Sequence, residues 1–350
     1  MNSLPTHMLA VLLNGHGGPD NLQYTQDAPV PTVLDNDVLI RVFAAGVNNT
    51  DINTRTGWYS KGDNDSDDAG WSGNALALPR IQGADVCGEI VAVGANVSSK
   101  RIGERVLVEP CLSYAEGEVK KPAWYLGSEC DGGFAQYTRV DARHAYAIQS
   151  SLSNIELASF PCSYSTAENM LTKANVGEQD TVLISGASGG VGSAAIQLAK
   201  ARGANVIAIT SESKRQQILD LGADQAVTRN DDLIQSLGHN SVDVVIDLVA
   251  GEKWPVFLEV LRPGGRYAVS GAIGGALVEL DIRTLYLKDL SFFGCTVLQP
   301  EVFGNLVKRI EQGQIKPLVA QSFPLHEIAT AQETFAQKQH VGKIVLSIAN

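Results

Sequence analysis

Gly186, Gly189 and Gly192 stand three residues apart in the stretch Ser185-Gly186-Ala187-Ser188-Gly189-Gly190-Val191-Gly192. Backbone without side chains at this spacing can turn sharply and let a large anion approach its N–H groups. The apolar, β-branched run Thr181-Val182-Leu183-Ile184 precedes the glycines, and a helical pattern over 194–200 follows them. Strand, glycine-rich turn and helix in that order aim the first N–H groups of the helix, and its positive dipole end, at a phosphate. In that context the glycines predict a dinucleotide pyrophosphate site rather than a plain strand-to-helix turn.

The next strand bears on which dinucleotide. A site for NAD places Asp or Glu about 20 residues beyond the turn, against the ribose 2′-hydroxyl. Here the strand over 205–209 runs into Thr210-Ser211-Glu212-Ser213-Lys214-Arg215, with Thr210 where the acid is expected. Ser211, Ser213, Lys214 and Arg215 can hold a 2′-phosphate by hydrogen bonds and charge. Glu212 counts the other way, and a helix start capped by Ser211 with solvated cations is the plain alternative. NADPH is therefore expected ahead of NADH.

A chain of 350 residues predicts two domains. The formal charge of −11 argues against nucleic acid or an anionic membrane as a partner. The first residues lack a basic region before a short apolar run, and no apolar run has the length of a membrane span. Five scattered cysteines, Cys87, Cys111, Cys130, Cys162 and Cys295, then read as reduced thiols of a cytoplasmic protein.

The elements that must position the glycine turn fall into two styles. Residues 1–153 read as short strands with frequent turn signals, among them 37–42, 88–94 and 105–108. From about residue 154 strands alternate with helices, and the strands over 243–247 and 265–270 are near-continuously apolar, as in a buried parallel sheet. The fold class expected is α/β, with a doubly wound sheet over 154–300 and a return of 301–350 to the first domain.

Taken in order, several motifs are similar to those of the medium-chain dehydrogenase/reductase superfamily over essentially the whole chain. They are Gly46-Val47-Asn48-Asn49-Thr50-Asp51, Gly83-Ala84-Asp85-Val86-Cys87-Gly88, Asp131-Gly132-Gly133-Phe134-Ala135-Gln136-Tyr137, the glycine turn, Leu261-Arg262-Pro263-Gly264-Gly265-Arg266 and Gly342-Lys343-Ile344-Val345-Leu346. The resemblance implies a GroES-like β-barrel domain, a Rossmann domain and an active site in the cleft between them. It also implies a homodimer or homotetramer joined through Rossmann edge strands, with the candidate edge over 289–296.

Motif by motif, the chain resembles the zinc-free quinone oxidoreductase-like branch. Where the zinc enzymes carry a Cys ligand this chain has Asn48, and where they carry a His it has Ala84; the third ligand, Cys162, is present. One thiol without its partners does not make a three-ligand catalytic zinc site. The four clustered cysteines of a structural zinc lobe are missing too, with only Cys111 and Cys130 in the matching region. No metal is expected.

Without a metal to polarise a carbonyl, the less demanding chemistry is hydride transfer to a quinone or to a C=C bond conjugated to a carbonyl, where hydrogen bonds can hold the charge that develops on oxygen. The expected function is a zinc-independent, NADPH-dependent reductase of such small molecules. A ketone reductase or secondary alcohol dehydrogenase of the same superfamily is the nearest alternative, and a cofactor-binding protein without turnover a third. By resemblance, Asn48 donates its amide to the substrate oxygen, Thr50 relays a proton, Tyr164 serves as acid or stacking wall, and Thr166 touches the nicotinamide. Asn48 and Thr50 could equally satisfy a turn, and Tyr164 the core. Asp51 and Asp85 read as architectural.

The loops after the Rossmann strands are expected to contact the cofactor: Val249 and Ala250, Gly271, Ala272 and Ile273, and Thr296 and Val297, together with Lys343. The histidines, His144 and His340 included, read as structural.

Two segments depart from the pattern. An acidic, glycine-rich stretch lies between Trp58 and Pro79. Its Asp63, Asp65 and Asp67 match the start of a calcium loop, but Asp68 and Asn74 fail the glycine and glutamate positions. Its bordering Trp58, Tyr59 and Trp71 suggest an aromatic lid over a flat substrate. The segment 116–129, with Lys120-Lys121-Pro122-Ala123-Trp124-Tyr125, carries no functional reading.

Overall fold

The computed structural model of the chain describes residues 4–60 and 70–349. The chain folds into two compact units. One runs to Cys162 and takes in Pro317–Gln339 and the chain from Lys343 onward; the other comprises Ser163–Lys316 and His340–Gly342.

The first unit is built around the strand Asp37–Val47, whose side chains are almost all buried. It pairs antiparallel with Cys87–Val93, with Tyr137–Asp141 and, at its end, with the C-terminal strand Lys343–Ser347. Arg105–Val108 and Ala145–Ala147 extend this sheet beyond Cys87–Val93, and Val319–Pro324 pairs parallel to the C-terminal strand. His7–Leu13, Leu22–Pro29 and Arg80–Ile81 form a second, three-stranded sheet. A continuous apolar core of this unit includes Val11, Ile40, Val42, Ile90, Phe134, Ile344 and Leu346. The register of the C-terminal strand has one chemical consequence. Ile344 lies opposite Val47, which brings Lys343 next to Asn48 across 295 positions of sequence.

The second unit holds the parallel sheet expected of the Rossmann fold. In space its strands run Gln225–Thr228, Asn205–Thr210, Thr181–Ile184, Val242–Asp247, Leu261–Val269 and Ser291–Gly294. Every pairing is parallel. The chain builds outward on one side of Thr181–Ile184 and then returns to its other side at Val242–Asp247. That reversal is the switch point beyond whose carboxyl ends such sheets bind ligands. Helices Gly190–Ala201, Arg215–Asp220, Leu233–Leu237, Trp254–Val260 and Ile282–Leu287 lie in the connections. The core strands are apolar because both faces are covered. Ser291–Gly294 is the outer strand, inside the segment expected to form the edge.

The segment around 116–129 proves to be a hairpin, Cys111–Ala115 against Glu118–Tyr125. The lid and calcium-loop positions Asp63, Asp65, Asp67 and Asp68 lie outside the described residues. Trp71 beside them stacks on Tyr125, ring centroids 4.7 Å apart. Among the described residues no helix is long and apolar enough to cross a membrane.

Candidate functional site

The residues expected to do chemistry form two separate groups. In the first unit, Asn48 precedes the helix Asn49–Thr56, and its backbone N–H donates to the Asp51 carboxylate at 2.7 Å. Asp51 thus caps its helix from within. Burial pushes its carboxyl up to about 7, against the lowering pull of the Asn48 N–H and Lys343. The side-chain amide of Asn48 faces inward, donating to Asp85 Oδ2 at 2.8 Å and to the Gly46 carbonyl at 3.3 Å. Its Oδ1 accepts from the Lys343 ammonium. That ammonium pairs with Asp85 Oδ2 at 2.8 Å, both side chains being essentially out of reach of water. The other oxygen of Asp85 accepts the backbone N–H of Cys162 at 2.5 Å, at the start of the helix Pro161–Lys173. Gly46 makes room for this arrangement, since a Cβ there would collide with the Asp85 carboxylate.

The Cys162 thiol lies 3.1 Å from the Tyr125 hydroxyl. Burial pushes it up to about 12, helped by the Asp85 charge and opposed by Lys343. It is a neutral thiol at ordinary pH. The positions matching the zinc-ligand motifs therefore present an amide already bonded inward (Asn48), a methyl group (Ala84) and a neutral thiol, beside an ammonium. Zinc needs several anionic or imidazole donors, and this set does not fit it. Among the described residues no group of three or more His, Cys, Asp or Glu could hold a metal.

Thr50 has a partner that sequence reasoning did not assign to it: the Tyr59 hydroxyl donates to its Oγ1 at 3.1 Å. Burial raises the Tyr59 pKa, keeping the phenol protonated. Tyr164, by contrast, is buried in the second unit, where it donates to the Lys316 carbonyl at 2.8 Å and accepts from Gln197 at 2.9 Å. Those bonds tie the helix Pro161–Lys173 to the helix Gly190–Ala201 and to Lys316, and an acid role would require breaking them.

The second group is the glycine cradle. Ser185, Gly186, Ala187 and Ser188 form the turn, Gly189 stands at the helix N-cap, and Gly190, Val191 and Gly192 open the helix. A Cβ on Gly192 would run into the Gly186 carbonyl, so glycine at this position is what lets the helix close onto the turn. One buried carboxylate organises the neighbouring loop. Asp247 accepts from the Ser185 hydroxyl at 2.5 Å, the Tyr267 hydroxyl at 2.6 Å and the backbone N–H groups of Val249 and Ala250 at 2.9 and 3.1 Å. Ala250 is thereby held at a φ of 54°. The Gly274 N–H donates to the Val249 carbonyl at 2.7 Å, joining the loop of Gly271, Ala272 and Ile273 to the same assembly. Thr296 and Val297 stand apart from these bonds: the Val297 carbonyl accepts from Asn169. Thr166 is half-buried on its helix.

Past the second strand, the Ser211 and Ser213 hydroxyls are 3.2 Å apart. Lys214 donates to the His340 carbonyl at 2.8 Å, and the Gly342 N–H reaches the Ser188 carbonyl at 3.3 Å. Burial, then the nearby Arg229, lowers the Lys214 pKa. Arg229 is a cation of this corner that the reading of residues 210–215 missed, because it arrives from the next strand. Arg215 lies 3.7 Å from Glu212. Lys343, expected with the cofactor residues, stands in the Asn48–Asp85 cluster of the first unit.

Comparison with known proteins agrees with both halves of the chain. Residues 34–150 match the family described as the alcohol dehydrogenase GroES-like domain, and 190–312 match that described as zinc-binding dehydrogenase. The quinone oxidoreductase of Homo sapiens is 30% identical over 353 residues, covering 97% of each chain. An NAD-dependent alcohol dehydrogenase of Sulfolobus acidocaldarius is 30% identical over 356 residues, covering 97% of this chain and 100% of its own. A solved structure from Sinorhizobium meliloti 1021, described as a candidate alcohol dehydrogenase, is 42% identical with a TM-score of 0.90, covering 100% of this chain and 99% of that one. The chain is an oxidoreductase of the medium-chain dehydrogenase/reductase superfamily, which it matches over 97% of its length.

Proposed function

We propose that this protein is a zinc-independent, NADPH-dependent reductase that transfers hydride to a quinone or to a C=C bond conjugated to a carbonyl. The observation that carries the reading is the composition of the first unit's polar cluster, an amide, a methyl group and a neutral thiol beside the Lys343 ammonium. Such a cluster offers no donor set for a metal ion that would polarise a carbonyl. A conjugated acceptor is less demanding, because its developing charge spreads onto an oxygen that a few hydrogen bonds can hold. The reduced nicotinamide supplies the hydride when bound. Tyr59 and Thr50 hold the proton for the other half of the reduction, the Tyr59 O–H being directed at Thr50 Oγ1. Asn48 acts through Asp85 and Lys343 in this reading, since both of its amide hydrogens are engaged inward.

NADPH is favoured over NADH by the cationic corner. Lys214, Arg215 and Arg229 accompany the Ser211 and Ser213 hydroxyls where an NAD site would hold an acid. A ketone reductase or alcohol dehydrogenase is the second reading, supported by the Thr50–Tyr59 hydroxyl pair and by the name of the Sulfolobus relative. A second copy of the chain is the expected partner. Ser291–Gly294 is the outer strand of its sheet, and the preceding segment carries exposed Leu277, Ile282, Tyr286 and Leu287; an unpaired strand edge suits sheet-to-sheet pairing. All five cysteines are thiols rather than disulfides, which suits a reducing compartment.

Anaerobic oxidation of NADPH with trans-2-hexenal, with the product identified by mass, tests the central point. Hexanal is expected. Hexenol would mean carbonyl reduction and would overturn the acceptor class, and NADH outperforming NADPH would overturn the cofactor preference.

A further inference from the structure

Resting on the conjugated-acceptor reading, we propose that Trp71 is a specificity-determining residue, an aromatic wall in the first unit that favours acceptors built on a flat ring, quinones and aryl enones, over aliphatic enones. Its indole stacks on Tyr125, with ring centroids 4.7 Å apart and planes 27° from parallel. The Tyr125 hydroxyl lies 3.1 Å from Cys162 Sγ. Tyr59, whose hydroxyl donates to Thr50, is also near enough to Cys162 for the two groups to influence each other's charge. One thiol therefore adjoins both the proton-holding hydroxyls and the paired rings. The wall is held from the backbone. Glu129 accepts the N–H of Ser72 through one carboxylate oxygen and that of Tyr125 through the other, each at 2.8 Å. The Ser128 hydroxyl donates to the same carboxylate at 3.3 Å and accepts the Trp71 backbone N–H at 3.0 Å. The two rings thus hang from one carboxylate, which fixes their stack on both sides.

Tyr125 is buried, whereas Trp71 keeps part of its surface exposed. An indole presents an electron-rich face, and a ring conjugated to a carbonyl is electron-poor. Stacking of the two adds to what the ring gains by leaving water. An aliphatic enone has no ring to stack and gains neither. The hydride goes to a carbon of the conjugated system and the proton to its partner, while the stacked face itself forms and breaks no bond. Binding of this kind is shared by the ground and transition states, so it lowers KM without raising kcat.

The test compares two enones that differ only in the group on the β-carbon, benzylideneacetone with a phenyl ring and ethylideneacetone with a methyl. Each is reduced by the full chain with NADPH and a proton, giving the saturated ketone and NADP+. Trp71→Leu should raise KM for the phenyl enone about tenfold and leave its kcat, and both constants for the methyl enone, within roughly twofold. Trp71→Phe keeps a ring and should restore most of the affinity. Tyr125→Phe keeps the stack while removing the hydroxyl beside Cys162, and should retain the phenyl preference. Equal losses on both enones would assign Trp71 to the folding of its own segment and overturn the inference, as would an unchanged phenyl KM in Trp71→Leu. Should Trp71→Leu not fold, saturable quenching of tryptophan emission by menadione decides: it should fall in Trp71→Phe, and equal quenching in the two proteins overturns the inference. The reading beneath fails differently, through an unmodified protein that reduces neither enone or yields the allylic alcohols. The wall is then judged by calorimetry on the saturated ketones, benzylacetone against methyl propyl ketone. A preference for benzylacetone that Trp71→Leu removes sustains it, and one that Trp71→Leu leaves intact overturns it.

Discussion

The glycine cradle of the second unit and the polar cluster of the first both manage charge, but they face opposite tasks. At the cradle the charge would, in the proposed reading, belong to a ligand, and the protein offers uncharged backbone N–H groups there. In the cluster the charges are the protein's own, and Lys343, Asp85 and Asn48 satisfy one another. A cradle tolerates vacancy because water can fill it. A buried ion pair tolerates no vacancy, because removing one partner strands the other in a medium that cannot solvate it. Asp247 sits between the two cases, a buried anion answered by hydroxyl and backbone donors rather than by a cation.

The largest effect should come from stranding a charge. Lys343→Met leaves Asp85 buried without its cation and should destabilise the first unit by about 3–5 kcal/mol, read from urea unfolding. Lys343→Met combined with Asp85→Asn should recover part of that loss, and a double variant as unstable as the sum of the singles would show that the pair does not act as a unit. Gly192→Ala should come next. Its Cβ must displace the Gly186 carbonyl, at about 1–3 kcal/mol for overpacking, and NADPH affinity should fall far more than stability does. An unaltered dissociation constant by calorimetry would break the assignment of the cradle.

A smaller effect is expected at the cationic corner. Arg215→Ala should lower the preference for NADPH over NADH by roughly tenfold, about 1.4 kcal/mol for one charge-assisted contact, while leaving the NADH dissociation constant in place. A parallel loss for both cofactors would assign Arg215 to general binding instead. The smallest change is an absence of reaction. Burial pushes the thiols of Cys87, Cys130 and Cys162 up to about 12, so at pH 8 roughly one in ten thousand is ionised. These cysteines should resist a disulfide reagent in the native protein and react on unfolding; rapid native labelling of Cys162, located by peptide mass mapping, would contradict the closed cluster.

How much could be read in advance differed between the same two regions. The turn from Ser185 to Gly192 is local: its strand, its glycines and its helix lie within one short stretch, and hydrophobic period and glycine spacing describe them directly. The outer strand Ser291–Gly294 falls inside the segment 289–296 that the resemblance, rather than a local pattern, marked as the edge. The hairpin Cys111–Tyr125 was not legible, because Pro122 and the neighbouring lysines obscure strand periodicity. Arg229 escaped because parallel pairing of Gln225–Thr228 with Asn205–Thr210 delivers it from outside the motif. Tyr164 was read by resemblance, yet its helix turns it toward Gln197 and Lys316.

By itself the sequence determined the doubly wound sheet and its glycine turn, since each is written in the type and spacing of neighbouring residues, while resemblance to the superfamily's motifs added that Asn48 and Ala84 stand where its zinc enzymes carry ligands. Only the tertiary structure decided what stands where those ligands are missing. Lys343 and Asn48 are 295 positions apart, and strand register, which no local pattern encodes, places an ammonium against a buried carboxylate and turns the amide of Asn48 inward to meet them.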